Sequence, residues 1–77
     1  MKRYEYTVCL SQNGKMTFQK DEWLGNGEAK TNNWNTCPSE SDYLNKLGMD
    51  NWELINVVPE KVDQGSARYF YLKREVW

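Results

Sequence analysis

The stretch Ser39-Glu40-Ser41-Asp42-Tyr43-Leu44-Asn45-Lys46-Leu47-Gly48, followed after Met49-Asp50-Asn51 by Trp52-Glu53-Leu54-Ile55-Asn56-Val57-Val58-Pro59, changes its hydrophobic period part-way along. The first part reads as a short helix over residues 39–47. Ser39 is placed as N-cap, Asp42 stands in the reciprocal capping position, and acid occupies the first turn. Tyr43, Leu44 and Leu47 lie three and four apart and make one apolar stripe. Gly48 offers the left-handed conformation that stops a helix. The second part is apolar on both faces and predicts a central strand, ended by Pro59 because proline brings no donor to a ladder. A helix this short does not stand alone in water, so it must pack on a sheet.

Upstream, residues 4–11 alternate. Tyr4, Tyr6, Val8 and Leu10 fall on one face and Glu5, Thr7, Cys9 and Ser11 on the other, the period of a strand. Asn13-Gly14 is a strong hairpin signal because both residues tolerate positive φ. A second strand is expected over residues 15–24. A two-residue turn would set Phe18 opposite Cys9 on the polar face, whereas a three-residue loop sets it opposite Leu10 on the apolar one. The second register is expected, since a slip of one residue moves every side chain to the wrong side. Residues 25–37 are polar and Asn-rich with Trp34 alone among them, and a loop of that length is commonly functional or disordered. After Gly65, a last strand from Ala67 to Trp77 puts Tyr69 and Tyr71 on one face and Phe70, Leu72 and Val76 on the other. The order is β-β-α-β-β. It describes a single α+β domain over residues 1–77, an antiparallel sheet of about four strands with one short helix packed on it.

Composition bounds what such a domain does. Ten Lys/Arg against eleven Asp/Glu give a net charge of −1, which favours neither duplex nucleic acid nor a membrane surface. No run approaches the length of a membrane span, and the charged start Met1-Lys2-Arg3-Tyr4-Glu5 leads into no apolar segment of a signal peptide. Cys9 and Cys37 match no metal or redox spacing, so two free thiols in a cytoplasmic protein are expected. Four Trp, five Tyr and two Phe exceed what one short helix can cover. A homo-oligomer, most simply a symmetric dimer, follows as an expectation.

The residues Leu44-Asn45-Lys46-Leu47-Gly48 and Trp52-Glu53-Leu54-Ile55-Asn56-Val57-Val58-Pro59 resemble a small domain-of-unknown-function family of bacteria and their phages. Its pattern is L-N-x-L-G-x-x-G-W-E-L-V-x-V-V-P, followed by a strand that ends near F-x-K-R. Here that ending is Tyr69-Phe70-Tyr71-Leu72-Lys73-Arg74, and Tyr4-Glu5-Tyr6-Thr7-Val8 is similar to the family's first strand. The resemblance covers about half of the chain, mostly its C-terminal half. Asn51 replaces the glycine before the tryptophan, tolerable because Asn also enters the left-handed region, and residues 15–37 have no counterpart. The resemblance implies a helix stop, a turn and a central strand, transfers no catalytic residue, and suggests a phage protein whose setting is immune evasion.

The chain contains no histidine, which removes the commonest general base and metal ligand together. No phosphate loop, nucleophile elbow or paired metal-ligand motif occurs. No catalytic residue, metal site or cofactor is therefore expected, and the chain reads as a binding module rather than an enzyme. Two constellations are candidates. Tyr4, Tyr6, Tyr69 and Tyr71 with Arg3, Arg68 and Arg74 would make an aromatic platform edged by guanidinium groups if the first and last strands pair. Bases stack on such rings, and arginine forks grip phosphates. Arg68 and Arg74, with Phe70 and Leu72 between them, define the sharpest form of this site. The second constellation is Trp34 in the loop Asn32-Asn33-Trp34-Asn35-Thr36, a recognition tip or a lid on the core. Trp52 is expected in the core, and Trp23 and Trp77 as gap-fillers or an oligomer seam. Two functions follow: an oligomer that sequesters a nucleotide-like signal, or an inhibitor or adaptor that blocks a host defence protein.

Overall fold

The structure, a computed structural model, describes residues 2–61 and 65–76, without the side chains of Thr31 and Asn32. Trp77 lies outside the described residues, and so does its expected role. Strand β1 (Arg3–Gln12) leads through Asn13-Gly14 into β2 (Lys15–Gln19) and then β3 (Glu22–Trp23). A 3₁₀ turn (Thr31–Thr36), helix α1 (Glu40–Met49), β4 (Glu53–Glu60) and β5 (Ala67–Val76) follow. All strand pairs are antiparallel, in the order β3-β2-β1-β5-β4. The α+β class holds, with five strands rather than four. The extra strand arises because Lys20 takes a left-handed φ of +54° and folds residues 15–24 into a second tight hairpin, with Gln19 opposite Glu22. No glycine or asparagine marks that turn.

Phe18 does stand opposite Leu10, but by another route than a three-residue loop. The turn is the two-residue Asn13-Gly14, with φ of +52° and +83°, and Gln12 faces Lys15 across it. The additional residue is a bulge at Thr17. Its side chain is fully buried, and its Oγ1 meets the Leu10 carbonyl at 3.2 Å and Gln12 Oε1 at 2.9 Å. A bulge of this kind restores a face that a tight turn alone would have reversed.

The inside of the sheet is the Cys9 face. Cys9, Met16, Tyr43, Leu47, Phe70 and Leu72 form the core, with Leu24, Leu44, Trp52 and Val57 packed against it. Small residues on β1 let α1 approach, while Phe70 and Leu72 from β5 supply the bulk. Thr7 and Ser11 are buried on this face without penalty, because Thr7 Oγ1 accepts from Gln19 Nε2 at 3.2 Å and Ser11 Oγ donates to Glu40. Ser39 caps α1 as expected, its Oγ accepting from Asp42 N at 3.2 Å. The stop lies later than Gly48, which remains helical. Asn51 takes the left-handed φ of +71° instead.

β4 is an edge strand and not a central one. β1 and β5 occupy the middle because they pair along their whole lengths, from Arg3–Val76 to Gln12–Ala67. β4 carries apolar residues on both sides, but only Val57 is part-buried, while Leu54, Ile55 and Val58 are exposed. Its outer rim is closed in three ways. The ladder is bulged between Leu54 and Asn56, the Val57 N–H is taken by Asn56 Oδ1 at 2.9 Å, and Pro59 has no N–H.

Candidate binding surface

The single helix leaves the other face of the sheet uncovered. The register places Tyr4, Tyr6, Val8 and Leu10 of β1 on it, opposite Glu75, Lys73, Tyr71 and Tyr69 of β5. Phe18 joins from β2 and Val58 from β4. Tyr6 is the most open at 62%, and Tyr4, Tyr71 and Val58 are exposed beside it. Charge lies within the row as well, with Lys73 opposite Tyr6 and Glu75 opposite Tyr4. Lys73 Nζ sits 5.1 Å from the centre of the Tyr4 ring, and a hydrogen bond to the Glu60 carboxylate raises the Tyr69 hydroxyl pKa.

The four tyrosines of the expected platform thus share one face. The arginines expected to edge it do not. Arg3, Arg68 and Arg74 alternate onto the helix side of β1 and β5. Phe70 and Leu72 between the last two are core residues, 4% and 2% exposed, so no ligand lies along that strip. Arg68 pairs with Glu40 in the first turn of α1. Arg74 pairs with Glu5, donates to the Asp50 carbonyl at 3.1 Å, and covers the Trp52 ring at 4.4 Å from its centre. Arg74 and Tyr4 meet only at the end of the sheet, in a polar recess of about 470 Å³ shared with Lys73, Glu53 and Glu75. The two carboxylates there oppose an anionic guest.

At the opposite end of the open face stands a cleft the sequence did not announce. Phe18, Trp23 and Trp34 wall a space of about 310 Å³, with Gln12, Asn13 and Lys30 at its polar side. Phe18 and Trp23 meet edge-to-face with centres 5.4 Å apart. Trp34 is no lid on the core: it is the third wall of this cleft, 39% exposed. The loop that holds it is tied down throughout. Asn33 Nδ2 donates to the Glu28 carbonyl at 3.0 Å, and Thr36 Oγ1 accepts from Asn26 N at 2.8 Å while donating to the Asn33 carbonyl at 2.6 Å. Gly25 is needed where this loop crosses Trp23, since a Cβ there would stand 2.7 Å from Trp23 Cζ2 and 2.9 Å from Cys37 Sγ. Phe18, Trp23 and Trp34 lie on three successive elements, and only folding shows that the rings converge.

Comparison with family models, with curated proteins and with solved structures finds no match to this chain. Among the described residues no group of His, Cys, Asp and Glu is placed to hold a metal ion, and no helix is long and apolar enough to cross a membrane. Cys9 and Cys37 are both free and buried, and burial pushes the Cys9 thiol up to about 11. Neither thiol is therefore disposed to act as a nucleophile at neutral pH.

Proposed function

We propose that this chain is a non-enzymatic, protein-binding module that works through the uncovered tyrosine face of its sheet. The observation that carries the reading is the exposure of Tyr4, Tyr6, Tyr71 and Val58 on one face, with Lys73 as the cation among them and no arginine. Tyrosine is favoured at protein contacts because it offers a large rigid area with a polar tip. A core of six buried apolar side chains gains stability if the second face is also covered. A second copy of the chain is the simplest cover, giving the expected homo-oligomer. In the phage setting that the resemblance suggests, the same face would block a host defence protein in the cytoplasm.

Sedimentation at tens of micromolar tests the self-pairing. The wild type is expected at the mass of a dimer, and Tyr6→Glu, which sets a charge at the middle of the face, at the mass of a monomer with α1 intact. A monomeric wild type overturns self-pairing. The second reading, an oligomer that sequesters a nucleotide-like signal, is favoured by one feature, the aromatic cleft beside Trp34.

A further inference from the structure

We infer that the cleft of Phe18, Trp23 and Trp34 is a small-molecule site for a flat heteroaromatic ring carrying one anionic group. It deepens the second reading above and replaces the arginine strip as its location. Three properties of the cleft set the class of guest. Its walls are aromatic on three sides, and ring stacking between such walls is the commonest way a protein holds a flat heterocycle without reading its edge. Its volume, about 310 Å³, suits one ring system with a short substituent and excludes a chain of several.

The polar side decides the charge. Among the described residues no carboxylate lines the cleft, whereas Lys30 does. Gln12 Oε1 accepts from Thr17 Oγ1 at 2.9 Å, and Asn13 Oδ1 accepts from Ser66 N at 3.0 Å. With those carbonyl oxygens engaged inside the protein, the two side chains meet a guest through their NH₂ groups, which are donors. Two amide donors and an ammonium together suit an anion and repel a cation, so a quaternary-ammonium guest is disfavoured in spite of the three rings. Lys30 pairs with Glu28 at 3.2 Å, but both side chains are far out in solvent, and an exposed pair of this kind exchanges readily for a better anion. The site is also built in advance, because the side-chain ties of Asn33 and Thr36 hold the Trp34 wall without a ligand.

The test is a tryptophan-fluorescence titration of the intact protein with adenosine 5′-monophosphate, adenosine and inorganic phosphate. Saturable quenching is expected with the nucleotide, weaker binding with adenosine, and none with phosphate alone. Trp34→Ala should weaken the nucleotide about tenfold or more, with partial recovery in Trp34→Phe. Lys30→Ala should bring the nucleotide down to the affinity of adenosine and leave adenosine unchanged. Absence of saturable quenching in the wild type overturns the inference, as does unchanged nucleotide affinity in Trp34→Ala. Sedimentation of the same samples reports the tyrosine face separately, so failure of the cleft and failure of face pairing are told apart.

Discussion

Arg68 and Arg74, both on the covered side of β5, grip opposite ends of the same helix. Arg68 reaches the Glu40 carboxylate in the first turn of α1, and Arg74 reaches the Asp50 carbonyl beyond its last. Negative charge at a helix start and positive charge at its end both suit the helix dipole. The two guanidinium groups are thus brackets that hold α1 against the sheet.

The brackets should therefore be seen in stability. Arg74→Ala is expected to cost about 1–2 kcal/mol, through the lost stacking on Trp52 and the lost carbonyl contact. Arg68→Ala should cost less, about 0.5–1 kcal/mol, because the Arg68 side chain is more open to water than that of Arg74. Trp52→Ala should exceed both, at roughly 2–4 kcal/mol for a part-buried ring that packs on the core. Urea denaturation gives all three. Equal stability of Arg74→Ala and the wild type would show that the bracket carries nothing.

Gly25→Ala probes the cleft through its backbone rather than its rings. The added methyl must displace Trp23 or part the loop from Cys37, so nucleotide quenching should fall while the far-UV spectrum of sheet and helix is kept. An unaltered titration would place the crossing of loop and strand elsewhere.

Cys9 sets an alkaline limit. Well below pH 9 its thiol is neutral in folded and unfolded chains alike, and it contributes no pH dependence. Between pH 9 and about 11 the unfolded chain ionises there while burial keeps the folded thiol protonated. Protons then leave only on unfolding, so stability falls as pH rises through this window. The melting temperature should drop across it in the wild type and drop less in Cys9→Ala. Tyr43, whose hydroxyl burial also raises, leaves a residual slope.

Asn56→Val should make the outer rim of β4 adhesive. It frees the Val57 N–H that Asn56 Oδ1 now occupies and adds a β-branched residue beside exposed Ile55 and Val58. Light scattering at rising protein concentration is expected to show growing particles for the variant and none for the wild type.

Much of the architecture was readable from spacing. Ser39 announces the helix, Asn13-Gly14 the hairpin, and the alternation of β1 and β5 the two faces of the sheet. What alternation cannot give is which face lies inward. The tyrosine row of β1 is the more apolar by composition, yet α1 packs on the Cys9 row, because small residues there admit the helix and Phe70 and Leu72 from β5 complete the contact. The arginines were misplaced for the same reason: Arg68 and Arg74 share a face with each other, as their spacing says, but that face is covered. β4 misled because apolar residues on both sides describe an edge strand beside an open face as well as a buried one. The cleft depends on a tight turn at Lys20-Asp21 in which a lysine takes the left-handed conformation, with no glycine or asparagine to mark it.

The closed rim of β4 has a consequence for dosage. A protein that works by occupying another molecule must be present in numbers comparable to its target, and so at high local load. A strand edge left free at such load lets copies zip edge to edge into filaments. With its bulge, its Asn56 clasp and Pro59, the rim denies that route, and the opposite edge, β3, is only two residues long. A proline and a strand paired on one side only thus keep copies from joining through this edge.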